Sequence, residues 1–142
     1  MRQVDDPRGD RWQRIAWQPW IALEDVASTR GGIPRTQGIY RVRRPRGKGL
    51  LYIGISVDLA QRLKGLQRAI RRADHVGHYA GGCGARAGSS GVEVSWIVRE
   101  RVHKRDLLGQ EVDLIAAYRK IIGSSPLCQF AGDRLAIGQR MD

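Results

Sequence analysis

The stretch Gly38-Ile39-Tyr40-Arg41-Val42-Arg43-Arg44-Pro45-Arg46-Gly47-Lys48-Gly49-Leu50-Leu51-Tyr52-Ile53-Gly54-Ile55 decides how this sequence folds. Its two ends are apolar runs at the two-residue period of a strand, and its middle is polar and rich in Gly and Pro, as a turn is. The spacing predicts a β-hairpin with a basic loop. With a symmetric loop Tyr40 faces Tyr52 and Val42 faces Leu50, which places both phenols on one face of the ribbon.

The hairpin leads directly into a helix. Ser56 is positioned as its N-cap, Asp58 favours the first turn, and Leu59, Leu63, Leu66 and Ile70 recur at three- and four-residue spacing as far as about Arg72. Lys64, Arg68, Arg71 and Arg72 fall on the outer side. The Gly-rich run from Asp74 to Gly91 suits no regular element, and its His75, His78 and Tyr79 are candidate functional groups. Val92–Val98 alternates as a third strand, and residues 104–122 read as a second long helix ended by Gly123. Upstream, Pro19 is placed to open a short helix over Trp20–Val26, and Trp12, Trp17 and Trp20 are expected to pack on the core. The architecture expected is α+β: an antiparallel sheet of about three strands flanked by helices, in the order β-β-α-β-α. Residues 1–35 form an extension packed on the core, and residues 36–142 form the main domain.

Charge narrows the list of partners. The 142 residues carry 25 Lys+Arg against 14 Asp+Glu, a formal net charge of +11. Residues 37–72 alone hold ten basic groups and one acidic group. So local a positive field suits a polyanion, because binding phosphates releases condensed counterions. A phosphate polyanion is the expected partner, with Arg43, Arg44, Arg46, Lys48, Lys64, Arg68, Arg71 and Arg72 as backbone contacts. No apolar run approaches a membrane span, and Asp5 and Asp6 stand where a signal peptide has its apolar core, so a soluble cytoplasmic protein is expected. Cys83 and Cys128 make no disulfide framework and are expected as free thiols. Together with His75 and His78 they offer a loosely spaced zinc alternative.

Glu111 is the misplaced residue. It falls near the centre of the stripe formed by Leu107, Leu108, Leu114, Ile115, Tyr118, Ile121 and Ile122. A carboxylate against a core requires a metal, a cation or a full set of donors. A metal ion at Glu111 and an ion pair with Arg62 or a neighbouring arginine both satisfy that requirement.

The tripeptides Gly38-Ile39-Tyr40 and Tyr52-Ile53-Gly54, an arginine eight residues after Gly54 (Arg62) and a glutamate in the later helix (Glu111) resemble the GIY-YIG endonuclease family over about residues 36–130. The resemblance implies hydrolysis of DNA phosphodiesters with one divalent ion, Mg²⁺ or Mn²⁺. Glu111 would hold the ion and Arg62 would bind the phosphate oxygens. Tyr40 and Tyr52 would position or deprotonate water, provided that Arg62 and the ion lower a phenol's pKa. Three positions depart from the family pattern. Leu66 stands where His or Tyr is frequent, Ile55 where some members have Lys, and Gln129 where Asn is usual. His78 is the expected substitute acid–base group, with His75 next, and Gln129 a supporting amide. The alternative implied by these departures is a catalytically weak DNA-binding module of the same fold. So small a domain implies a homodimer or a targeting partner protein to choose the site.

Overall fold

The computed structural model describes residues 1–28, 32–71 and 91–129. Its regular elements are β1 (Ile21–Ala22), β2 (Gly38–Arg43), β3 (Tyr52–Ser56), α1 (Leu59–Arg71), β4 (Glu93–Val98) and α2 (Lys104–Ile122). Short 3₁₀ turns lie at Gln3–Asp5, Trp12–Arg14 and Leu23–Asp25. The strands form one antiparallel sheet in the order β1-β4-β2-β3. The fold is α+β, with four strands and two long helices among the described residues.

Alternation along β2 sorts side chains to the two faces. Tyr40 and Val42 meet Val94, Trp96 and the α1 residues Leu59, Leu63 and Leu66 on one face. On the other, Ile39 and Ile53 meet Trp12, Trp17 and the α2 residues Leu107, Leu114 and Tyr118. Arg41 lies on this second face, fully buried. Its guanidinium stacks 4.3 Å from the Trp17 ring and 4.4 Å from the Trp20 ring, and it donates to the Pro7 carbonyl at 2.7 Å. Burial pulls its pKa down to about 9, so it still carries its charge at neutral pH.

The open edge of β3 is covered from the C-terminal side. Leu127 and Cys128 donate backbone N–H groups to Leu50 and Leu51, and the Gln129 amide pairs with both backbone groups of Ile53 at 2.8 and 2.7 Å. An edge strand otherwise presents such groups unpaired.

Several expectations are corrected. Trp20–Val26 is not a helix: Ile21 and Ala22 pair with Val94 and Glu93 as a fourth strand, and a 3₁₀ turn follows. The cap of α1 is Asp58, not Ser56, since Asp58 Oδ1 accepts from Gln61 N–H at 3.0 Å, while the Ser56 hydroxyl braces the Asp58 backbone. Tyr40 stands opposite Gly54, and Tyr52 opposite Val42. The ladder shortens because the Leu50 N–H is taken by the Tyr118 hydroxyl at 2.8 Å. A shift of two residues keeps the face, so the phenols remain on one side as diagonal neighbours. Leu108 and Ile121 are exposed rather than part of the α2 stripe. Cys128 is disulfide-bonded and not a free thiol, which removes one argument for a reducing compartment. The other cysteine, Cys83, lies outside the described residues. Among the described residues no helix is long and apolar enough to cross a membrane.

Candidate active site

Two glycines let the hairpin bring its tyrosines together. A Cβ on Gly54 would sit 2.6 Å from the Tyr40 ring and hydroxyl and 2.6 Å from Tyr52 Cε2, so only a residue without a side chain fits beneath the two rings. A Cβ on Gly38 would strike the Ile97 carbonyl, and it would come within 2.7 Å of Leu59. The two ring centroids lie 5.9 Å apart, tilted by 34°. Tyr40 is buried and Tyr52 half-buried.

Arg62 lies in the first turn of α1 and Glu111 in the second turn of α2, near enough for their charges to act on Tyr40. Both act electrostatically on Tyr40: Arg62 favours its phenolate and Glu111 opposes it. Four elements, β2, β3, α1 and α2, thus converge on one phenol. Glu111 is half-buried, three to four residues from Leu107 and Leu114, which keeps it on the face that α2 turns towards the sheet.

Burial pushes the Tyr40 phenol far above its ordinary value, the neighbouring Tyr52 adds to this, and Arg62 offsets only part. Without an ion, Arg62 alone does not bring the Tyr40 phenol below its ordinary value, and Tyr40 is neutral. A divalent ion at Glu111 would act in the same direction as Arg62.

The donors present fit such an ion. Among the described residues no group of three His, Cys, Asp or Glu could enclose a metal, so Glu111 would contribute one carboxylate oxygen site. A hard cation that keeps most of its waters and takes its remaining ligand from a phosphate needs no more from the protein.

Beside the site runs a groove of about 730 Å³, lined by Ile55, Ser56, Gly65 and Leu107 and by the cationic side chains of Arg62, Arg68 and Lys104. Sequence reasoning missed Lys104 as a contributor. The signal was available, because Lys104, Leu107 and Glu111 stand at i, i+3 and i+7 and so share one face of α2.

The other expected contacts divide. Lys64, Arg68 and Arg71 are exposed along α1, and Arg46 and Lys48 are exposed in the hairpin loop. That loop is braced from the N-terminal segment, where Arg8 donates to the carbonyls of Arg44, Pro45 and Gly49 at 3.0–3.1 Å. Arg43 leaves the cationic surface: it is paired with Glu93 at 2.7 Å and stacked 4.1 Å from the Trp20 ring. Leu66 is buried in the core and carries no proton-transfer group. Gln129 spends its amide on Ile53 and so supports the strand that carries Tyr52. His78, His75 and Arg72 lie outside the described residues.

A glycine-bearing hairpin, two phenols on one face, an arginine helix behind and a glutamate helix along the edge strand define an arrangement similar to the GIY-YIG fold. Neither a protein-family model nor a curated protein matches the sequence. Among solved structures, the chain is similar to the GIY-YIG N-terminal endonuclease domain of UvrC from Thermotoga maritima, a point mutant bound to its catalytic divalent cation. That alignment has 22% identity, covers 61% of this chain and 80% of the other, and has a TM-score of 0.39.

Proposed function

We propose that this protein is a divalent-metal-dependent endonuclease that hydrolyses DNA phosphodiester bonds, with Mg²⁺ or Mn²⁺ as its ion. The observation that carries the reading is the convergence of Tyr52, Arg62 and Glu111 on the buried phenol of Tyr40. Buried tyrosine pairs have packing reasons to exist, but packing alone requires neither a carboxylate nor a guanidinium beside them.

The roles follow from chemistry. Glu111 would hold the ion, which would supply Lewis-acid stabilisation of charge on the phosphate oxygens. Arg62 offers a planar, permanently charged fork to the same oxygens as negative charge builds on them. Tyr40, neutral and fixed over Gly54, and Tyr52, packed against it, orient the attacking water. Removing its proton falls to bulk water or to a base such as His78. Lys64, Arg68, Arg71, Arg46 and Lys48 hold the strand without reading sequence. Site choice then comes from DNA shape, a second copy or a targeting partner.

Nicking of supercoiled plasmid tests the reading. Cleavage with Mg²⁺ or Mn²⁺, none in EDTA, and a loss of about 10²–10³-fold in Arg62→Ala are expected. A second reading, a DNA-binding module that does not cleave, is favoured by the burial of Leu66, which leaves the α1 position one turn beyond Arg62 without a proton-transfer group. DNA binding without nicking under every metal condition would establish it in place of the first.

A further inference from the structure

The groove between the beginnings of α1 and α2 has features that the reaction centre does not account for. Its volume of about 730 Å³ lies in the size range of whole ligand sites, about 300–1,000 Å³, and far exceeds what one phosphate group needs. Arg62, Arg68 and Lys104, which line it, are exposed, and none forms a salt bridge to a carboxylate among the described residues. Three like charges around one trough repel one another until an anion enters. Arg68 also borders a second hollow of about 260 Å³ with Lys64 and Arg35, which continues the cationic track over α1.

Gly65 adds an independent sign. Glycine inside a helix is destabilising, and packing gives no reason for it here: an added Cβ would meet only Arg68 Nη2, at 3.8 Å. Gly109 in α2 has nothing within 4 Å either, so an unneeded helix glycine is not by itself informative. What distinguishes Gly65 is that it lines the groove, where the missing side chain lets a ligand approach the helix closely.

We propose that this groove is a binding subsite for the nucleotide adjoining the reacting phosphate, with the phosphate of that nucleotide held by Lys104 and Arg68 and its sugar and base lying over Gly65. The choice of DNA rests on the hydrolase reading above. An open trough with exposed cations suits a continuing strand better than a free mononucleotide.

The test is binding of a short labelled DNA duplex in EDTA, where no cleavage can contribute. Lys104→Ala should reduce the slope of log affinity against log salt by about 0.9, the loss of one phosphate contact. Gly65→Ala should raise the unfolding temperature by about 3 °C, as removal of a helix glycine does, and yet weaken DNA binding severalfold. Gly109→Ala should give the same thermal gain with binding unchanged. A purely structural Gly65 cannot produce opposite signs. Parental slope in Lys104→Ala, or parental affinity in Gly65→Ala, overturns the proposal. So does displacement of the duplex by deoxynucleoside monophosphate or inorganic phosphate at concentrations matching the duplex affinity, since the site would then be one for free phosphates. Failure of the hydrolase reading has a different signature: the variants bind as proposed while the parent cuts under no metal condition.

Discussion

Replacing Gln129 by alanine removes the clamp on the open edge of the sheet, and its cost follows from two hydrogen bonds. The Ile53 N–H donates to Gln129 Oε1 at 2.8 Å, and Gln129 Nε2 donates to the Ile53 carbonyl at 2.7 Å. Ile53 is fully buried and Gln129 is 6% exposed, so bulk water does not stand ready to replace the amide. Each intramolecular bond contributes about 1 kcal/mol net, and each buried group left unpaired costs about 1–3 kcal/mol. Water entering the space vacated by the side chain recovers part of that. The expected loss is about 2–4 kcal/mol. With a urea slope of about 2 kcal/mol per molar, the midpoint falls by about 1–2 M, followed through tryptophan fluorescence. Gln129→Asn should recover little, because an amide one methylene shorter cannot span both groups of Ile53. A parental midpoint in Gln129→Ala would refute the clamp. Parental stability with abolished cleavage would move the amide into the chemistry.

Three further outcomes are expected. Gly54→Ala should displace both phenols, since its Cβ would lie 2.6 Å from each ring; a loss of about 2–4 kcal/mol in urea unfolding and absent nicking are expected, and a parental midpoint would contradict the packing. Arg41→Lys should cost about 2 kcal/mol or more in the same assay, because a compact ammonium cannot stack between Trp17 and Trp20. The Gln61 N–H bond, with help from Arg35, holds the Asp58 carboxyl below its ordinary value. A depressed carboxyl stabilises the fold above the ordinary carboxylate range and loses that contribution as pH falls through the folded value. Asp58→Asn should therefore flatten the acid limb of a stability–pH profile, and an unchanged limb would assign it to other groups.

How far the sequence could be read depended on how local each signal was. The hairpin, α1, β4 and α2 were legible because each is long enough for its period to show, and Gly123 marks its helix end with a φ of 96°. β1 was not legible: two residues have no period, and they become a strand only because β4 offers Val94 and Glu93 as partners. The hairpin register was missed by two residues because Tyr118, far along the chain, captures Leu50. Of the site, the tripeptides, Arg62 and the misplaced Glu111 were visible. The fate of Arg43 was not, since Glu93 and Trp20 meet it only across the folded sheet. Nor could composition show that burial outweighs Arg62 at Tyr40, because desolvation is a property of the packed core.

The most direct test of the central claim is single-turnover nicking of supercoiled DNA by the parent and by Glu111→Gln, with Mg²⁺ or Mn²⁺ present. The glutamine keeps the shape of the side chain and removes the charge that would hold the ion. Metal-dependent nicking by the parent, lost at least about 100-fold in Glu111→Gln while DNA binding in EDTA persists, is the predicted result. Equal nicking by both proteins, or none by the parent, would contradict it.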